Sequence, residues 1–226
     1  MQRTSTLILN TVIAFAGFCS SLAAIDIRFI PLNGEIASRM MGIRDDKELL
    51  PLKGLEAMKR SDPLSCVIGE QGLQLVALDR EGNDGKPASV TIGIPSTLKS
   101  PLVVILPDTE YPSGLRTIAI EDSDDAFQWG TLLFINTSGG PLMIQIDKEK
   151  KNLPGDNTPV VIHPGGTTRN MGVQIFKEEA ADEVLYSAVW EHDPDFRKMI
   201  VIVPPKNAKA SAFDLVIIPQ DRRVKH

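Results

Sequence analysis

The chain is poor in the residues that most enzymes depend on. In 226 residues it has 3 histidines, 2 cysteines, 2 tryptophans and 2 tyrosines, and aromatics make up 5%. Nucleophilic catalysis needs a serine or cysteine beside a base that a third group orients. His163, His192 and His226 are the only imidazoles on offer, no Gly-x-Ser-x-Gly elbow occurs, and nothing around Cys66 has a catalytic-cysteine signature. So few aromatics also exclude an extended stacking platform for polysaccharide or single-stranded nucleic acid. Positive charge is not in excess either. A formal net charge of -5 opposes nucleic acid and anionic membranes, which need a cationic surface to displace counterions. No nucleic-acid partner and no cofactor are expected.

A long hydrophobic run is also missing. The apolar stretch Leu7 to Phe18 is broken by Asn10 and Thr11 and falls short of the ~20 residues that span a bilayer. With Arg3 before it and Ser20, Ser21, Ala23 and Ala24 after it, residues 1–24 read as a signal peptide cleaved after Ala23 or Ala24. A periplasmic or secreted protein is expected, without a membrane span after cleavage. A lipoprotein site at Cys19 is disfavoured by the bulky Phe18 before it. Cleavage leaves Cys66 as the one thiol, so no intramolecular disulfide can form. Val67 and Ile68 after it point to a buried strand position.

What the chain does have is strand punctuation. Hydrophobic residues make up 42%, enough for a packed core, and from Leu73 onward short apolar stretches alternate with Gly, Pro, Asn and Asp. Val90, Ile92 and Ile94 fall on one face by period two, as do Leu142, Ile144 and Ile146. Arg116 to Glu121, Gly172 to Lys177 and Phe213 to Pro219 read similarly. Leu102 to Leu106 and Met199 to Val203 are continuously apolar, which predicts central strands covered on both faces and stopped by Pro107 and Pro204. Glu81 to Gly85, Thr137 to Pro141 and His163 to Gly166 read as turns, His163 sitting at a hairpin tip. Near the start, Asp26 to Leu32 suits an opening strand, and Leu55 to Arg60 at most a short turn of helix.

Each half contains a continuous apolar strand, a proline, a turn and a further strand, an architectural likeness without repeated identities. The fold class expected is all-β: two antiparallel immunoglobulin-like β-sandwich halves of roughly seven strands, which can pack as one unit. Residues 25–125 form the N-terminal sandwich and 126–226 the C-terminal one. The acidic stretch Glu121-Asp122-Ser123-Asp124-Asp125 reads as a polar junction.

Two stretches carry acids that suggest a metal: Glu121, Asp122, Asp124 and Asp125 at the junction, for which a polar linker is the commoner reading, and the hairpin after Asp79. Asp79, Glu81 and Asn83 alternate like calcium ligands, but Asp84 stands where the tight turn needs glycine and the downstream bidentate acid is missing. A solvated hairpin fits better, and no metal site is expected. The richest cluster is Trp190-Glu191-His192-Asp193-Pro194-Asp195-Phe196-Arg197. Trp190, His192, Asp193, Asp195 and Arg197 bring a ring, an imidazole, carboxylates and a guanidinium to one connection, where they can contact a sugar or peptide. The structural alternative buries Trp190 against the sheet and pairs Arg197 with Asp193 or Asp195 across the turn.

Pro101-Leu102-Val103-Val104-Ile105-Leu106-Pro107, then Phe127-Gln128-Trp129-Gly130 leading into Phe134-Ile135-Asn136-Thr137-Ser138, and finally Tyr186-Ser187, Trp190, Asp193-Pro194 and Arg197 form a pattern. It resembles secreted bacterial β-sandwich proteins with no assigned activity, over a little more than half the chain. The resemblance implies fold and export and transfers no catalytic residue. The asparagine-bearing strand ends are also similar to those of small sandwich proteins that assist exopolysaccharide acetylation. The function expected is a non-catalytic exported binding or assembly module of the bacterial envelope, with an envelope protein or glycan as partner. The alternative is an accessory protein or enzyme acting on cell-surface glycans through the Trp190 to Arg197 loop.

Overall fold

A computed structural model describes residues 24–46, 48–69, 72–207 and 211–224, the side chains of 181 and 182 excepted. The expected leader up to position 23, with Cys19 in it, and His226 lie outside the described residues.

The first half of the chain contributes β1 (Ala24–Pro31), β2 (Met41–Arg44), β3 (Leu49–Leu52), β4 (Leu64–Val67), β5 (Leu73–Glu81), β6 (Pro87–Ile92), β7 (Pro101–Pro107) and β8 (Leu115–Glu121). The second contributes β9 (Leu132–Asn136), β10 (Leu142–Ile146), β11 (Glu149–Leu153), β12 (Val160–Ile162), β13 (Arg169–Lys177), β14 (Ala180–His192), β15 (Phe196–Val203) and β16 (Asp214–Asp221). Among the described residues the one helix is α1 (Gly34–Ala37), a single turn capped by Asn33, whose side chain accepts the Ile36 N–H at 2.9 Å.

The eight strands of each half make two four-stranded sheets. Their orders are β4-β1-β7-β8 and β3-β2-β5-β6 in the first half, then β12-β9-β15-β16 and β11-β10-β13-β14 in the second. An all-β chain of two sandwich halves is what the strand pattern predicts. Two details differ from expectation: each half has eight strands, and β1 runs parallel to β7 as β9 does to β15. Parallel neighbours need a long excursion between them. Here the chain leaves for the other sheet and returns on the far side of its first strand.

Paired residues on neighbouring strands share a face, so register shows how the sheets stack. On β9 and β15, Leu132, Phe134, Ile200 and Ile202 join the core of the second sandwich, while Leu133, Ile135, Met199 and Val201 join the core of the first half. The sheet β12-β9-β15-β16 is therefore buried on both sides. On β7, Ile105 pairs with Thr117, whose hydroxyl donates to the Thr91 carbonyl of the outer sheet, while Leu106 pairs with Arg116, which reaches the Thr137 carbonyl in the second half. The molecule is a stack of four sheets with the two inner ones face to face. This explains why β7, β9 and β15 are apolar without alternation, whereas β10 alternates buried and half-buried.

Other expectations need correction. Leu55 to Arg60 holds no helix: Met58 has φ 58 and its N–H donates to the Pro31 carbonyl, so the segment flanks β1 instead. The links at Thr137 to Pro141 and His163 to Gly166 are not hairpins, because β9 and β10, like β12 and β13, belong to different sheets. Turn residues report a reversal, not the sheet to which the chain returns.

Candidate functional site

The cluster at 190–197 spans a crossing from one layer to the next. β14 ends in the outer sheet at His192 and β15 starts in the inner sheet at Phe196. Between them Asp193 makes the turn, its carboxylate accepting the Asp195 N–H at 2.9 Å and its carbonyl the Phe196 N–H at 3.1 Å. Trp190 points into the second sandwich. Its ring stacks on Phe134 with centroids 6.3 Å apart and an interplanar angle of 11°, and its Nε1 donates to the Tyr186 hydroxyl at 2.9 Å. His192 lies on the same face, buried, and its Nε2 has no hydrogen-bond partner among the described residues. Burial first, and the nearby Arg169 charge second, hold this imidazole below its ordinary pKa, while the Gly166 backbone works the other way.

Arg197 goes elsewhere. It shares a strand face with Met199 and Val201, so it points toward the first half, across the inner sheet from Trp190 and His192. Its Nε donates to Gln220 at 2.7 Å and its Nη1 to the Phe127 carbonyl at 2.7 Å and the Asp124 carboxylate at 3.2 Å. Its guanidinium carbon lies 5.0 Å from the Phe127 ring centroid and 4.7 Å from that of Trp129. Asp122, 3.9 Å from Nη2, is gripped from its other side by Arg60 through two bonds of 2.8 Å. Arg60, Asp122 and Arg197 are each less than 10% exposed in their side chains.

The expected pairing of Arg197 with Asp193 or Asp195 is thus replaced. Those carboxylates face Arg222 and Arg223 at 3.6–3.9 Å on the surface. The acidic stretch, read as a polar junction, is pinned: Glu121 accepts backbone N–H groups of Lys99, Ser100 and Ser123, and Asp122 and Asp124 neutralise Arg197. One signal for this was in the sequence. An arginine in phase with Met199 and Val201 on a doubly covered strand needs a buried counter-charge.

Of the five residues singled out, Trp190 and His192 share one interior, Asp193 and Asp195 share an exposed turn, and Arg197 sits at the waist between the halves. They do not converge on one concavity. Two grooves of about 500 Å³ and 490 Å³ flank Arg28 at the same waist, lined by side chains of both signs that include Lys99, Asp26, Arg60 and Asp62.

The remaining candidates lie apart from this cluster. Cys66 is fully buried on β4, as its apolar neighbours predict, and burial, with Asp45 and Asp26 nearby, pushes its thiol up to about 11. Asp79 is held by Arg39 through two bonds of 2.8 Å, and His163 is exposed in the link from β12 to β13. Among the described residues no three His, Cys, Asp or Glu side chains gather to hold a metal ion, and no helix is long and apolar enough to cross a membrane.

No family model and no curated protein matches the chain. Among solved structures, a provisionally assigned cell adhesion protein from Bacteroides uniformis is 10% identical over 88% of this chain and 98% of that one, with a TM-score of 0.27. An overlap that loose transfers neither topology nor function.

Proposed function

We propose that the chain is an exported, non-catalytic module that binds a protein partner or joins an assembly in the bacterial envelope. The observation that carries the reading is where the chemistry goes. The guanidinium of Arg197 and the carboxylates of Asp122 and Asp124 hold two sandwiches in one stack, and the indole of Trp190 fills a core. Such a stack presents fixed surfaces for recognition. Export rests on the leader pattern of residues 1–24.

Fractionation and N-terminal sequencing test export: a mature chain beginning at position 24 or 25 outside the cytoplasm is expected, and an intact leader inside the cell refutes it. Crosslinking in the native envelope tests partnership. A discrete adduct is expected, whereas a lone monomer with measurable turnover overturns the reading. The glycan alternative makes its own demand: Ala at His192 and Asp195 must abolish glycan binding or processing while the fold survives.

A further inference from the structure

The two sandwiches share one strand order but are closed differently along one side. In the first, β6 lies along β8, and the Thr117 hydroxyl bonds the Thr91 carbonyl between them, so the two sheets shield each other's edge. In the second, the equivalent strands β14 and β16 make no comparable contact. The strand on the open side is also the longer one: β6 has 6 residues and starts with Pro87, whereas β14 has 13 and contains neither proline nor lysine.

Sheet edges are normally guarded by shortness, proline or lysine. β12 has 3 residues and β4 has 4, β3 carries Pro51, β16 carries Pro219, and β11 presents Glu149-Lys150-Lys151. Among the edge strands β8 and β14 have no such guard, but β8 is covered by β6, and among the described residues β14 pairs with β13 alone. The floor of the open seam is apolar. Leu185, Tyr186 and Ala188 of β14 and Leu215 of β16 are only partly buried. Ile217, on the sandwich-facing side of β16 because it pairs with Ile200, is 38% exposed. A register shift beside Ile175 and Phe176 leaves Tyr186–His192 as the regular run, and the Lys198 ammonium, 2.6 Å from the Glu191 carbonyl, ties β14 to β15 at its far end.

We propose that the β14 edge and the seam below it receive an extended segment of a protein partner, added as a further strand with alternate apolar side chains lowered between β14 and β16. The inference rests on the protein-binding reading above and names its surface and partner chemistry. An unpaired row of backbone N–H and C=O groups is satisfied by another extended backbone, and the period of two sends every second side chain to the apolar floor. A second copy cannot supply that segment through its own β14. The inward side chains of that strand, Trp190 among them, are already committed to their own core.

The test uses the full chain and a synthetic nonapeptide of alternating valine and threonine with lysine at each end. Its control is the same peptide methylated on alternate backbone nitrogens. The plain peptide should slow amide exchange in 186–191 and leave β11 unchanged. The methylated peptide should bind about tenfold more weakly, the worth of one or two net backbone hydrogen bonds. Val189→Lys, at a side chain 71% exposed, should weaken the plain peptide by a similar factor without changing the melting temperature. Equal binding of both peptides, protection elsewhere or none, or β14 protection arising from dimerisation without peptide would each overturn strand addition. If envelope crosslinking still yields a discrete adduct, that failure leaves the binding-module reading standing; no adduct overturns both.

Discussion

The two halves of the molecule are the same drawing made with different residues. In each, the first strand runs parallel to the seventh, the fourth flanks the first, and the second, third, fifth and sixth strands form the outer sheet. Equivalent positions are filled alike where packing demands it. Phe29 pairs with Val103 and Phe134 with Ile200, both rings fully buried, and Pro107 and Pro204 follow the apolar runs of β7 and β15. The halves part where burial stops. The sixth strand is short and closed against the eighth in the first half, long and open in the second. The shared core constrains topology, and the free edge is where the halves diverge.

The largest effects should come from the matched rings. Phe29→Ala and Phe134→Ala should each destabilise the protein by about 3–5 kcal/mol, the range for removing a buried ring. Because the inner sheets share a core, urea denaturation should still show one transition for either variant. Two transitions after Phe29→Ala alone would mean that the halves unfold independently and that the waist is not a common core.

Next comes the waist itself. Asp122→Ala leaves Arg60 and Arg197 buried without their shared carboxylate, a loss of about 3 kcal/mol at the low end for a broken buried pair. It stays at the low end because Asp124 and Gln220 still touch Arg197. Chemical denaturation measures it, and a change below about 1 kcal/mol would show the network to be no stronger than a surface pair.

How much of this was legible depended on whether a signal was local. Continuous apolarity in Leu102 to Leu106 and Met199 to Val203 foretold strands covered on both faces, because an inner sheet has no solvent side to mark with polar residues. Alternation at Leu142, Ile144 and Ile146 marked an outer sheet for the converse reason. The short pieces escaped: Met41–Arg44 and Leu49–Leu52 are too brief for a period, and Pro51 argues against a strand unless it lies at an edge, as it does. At 190–197, adjacency in sequence suggested one site, yet the chain changes sheets there and sends its polar groups three ways. The carboxylates that meet Arg197 belong to Asp122 and Asp124, the latter 73 residues away, beyond the reach of any local pattern.

A smaller effect tests the interior of the second sandwich, which holds a buried imidazole where the first has none. Burial depresses the His192 pKa, so the folded state prefers the neutral ring. Its contribution to stability is therefore complete above about pH 6.5, the unfolded value, and is lost as pH falls from there toward the depressed folded value. His192→Gln should flatten the decline in melting temperature between pH 6.5 and 5. An unchanged slope would assign the decline to carboxylates instead.

The smallest effect is expected at the turn that looked most like a site. Asp195 meets Arg222 and Arg223 at 3.6 and 3.9 Å, with all three side chains more than a third exposed. Water and salt screen such pairs, and holding long side chains in place offsets much of the attraction. Asp195→Ala should thus change stability by less than about 1 kcal/mol, against about 3 kcal/mol for Asp122→Ala at the waist. Both carboxylates face two arginines, so the contrast isolates burial as the variable. Equal losses in the two variants, measured in the same buffer, would mean that the turn is as tightly held as the waist and that the exposed arginines are fixed in place by more than their charge.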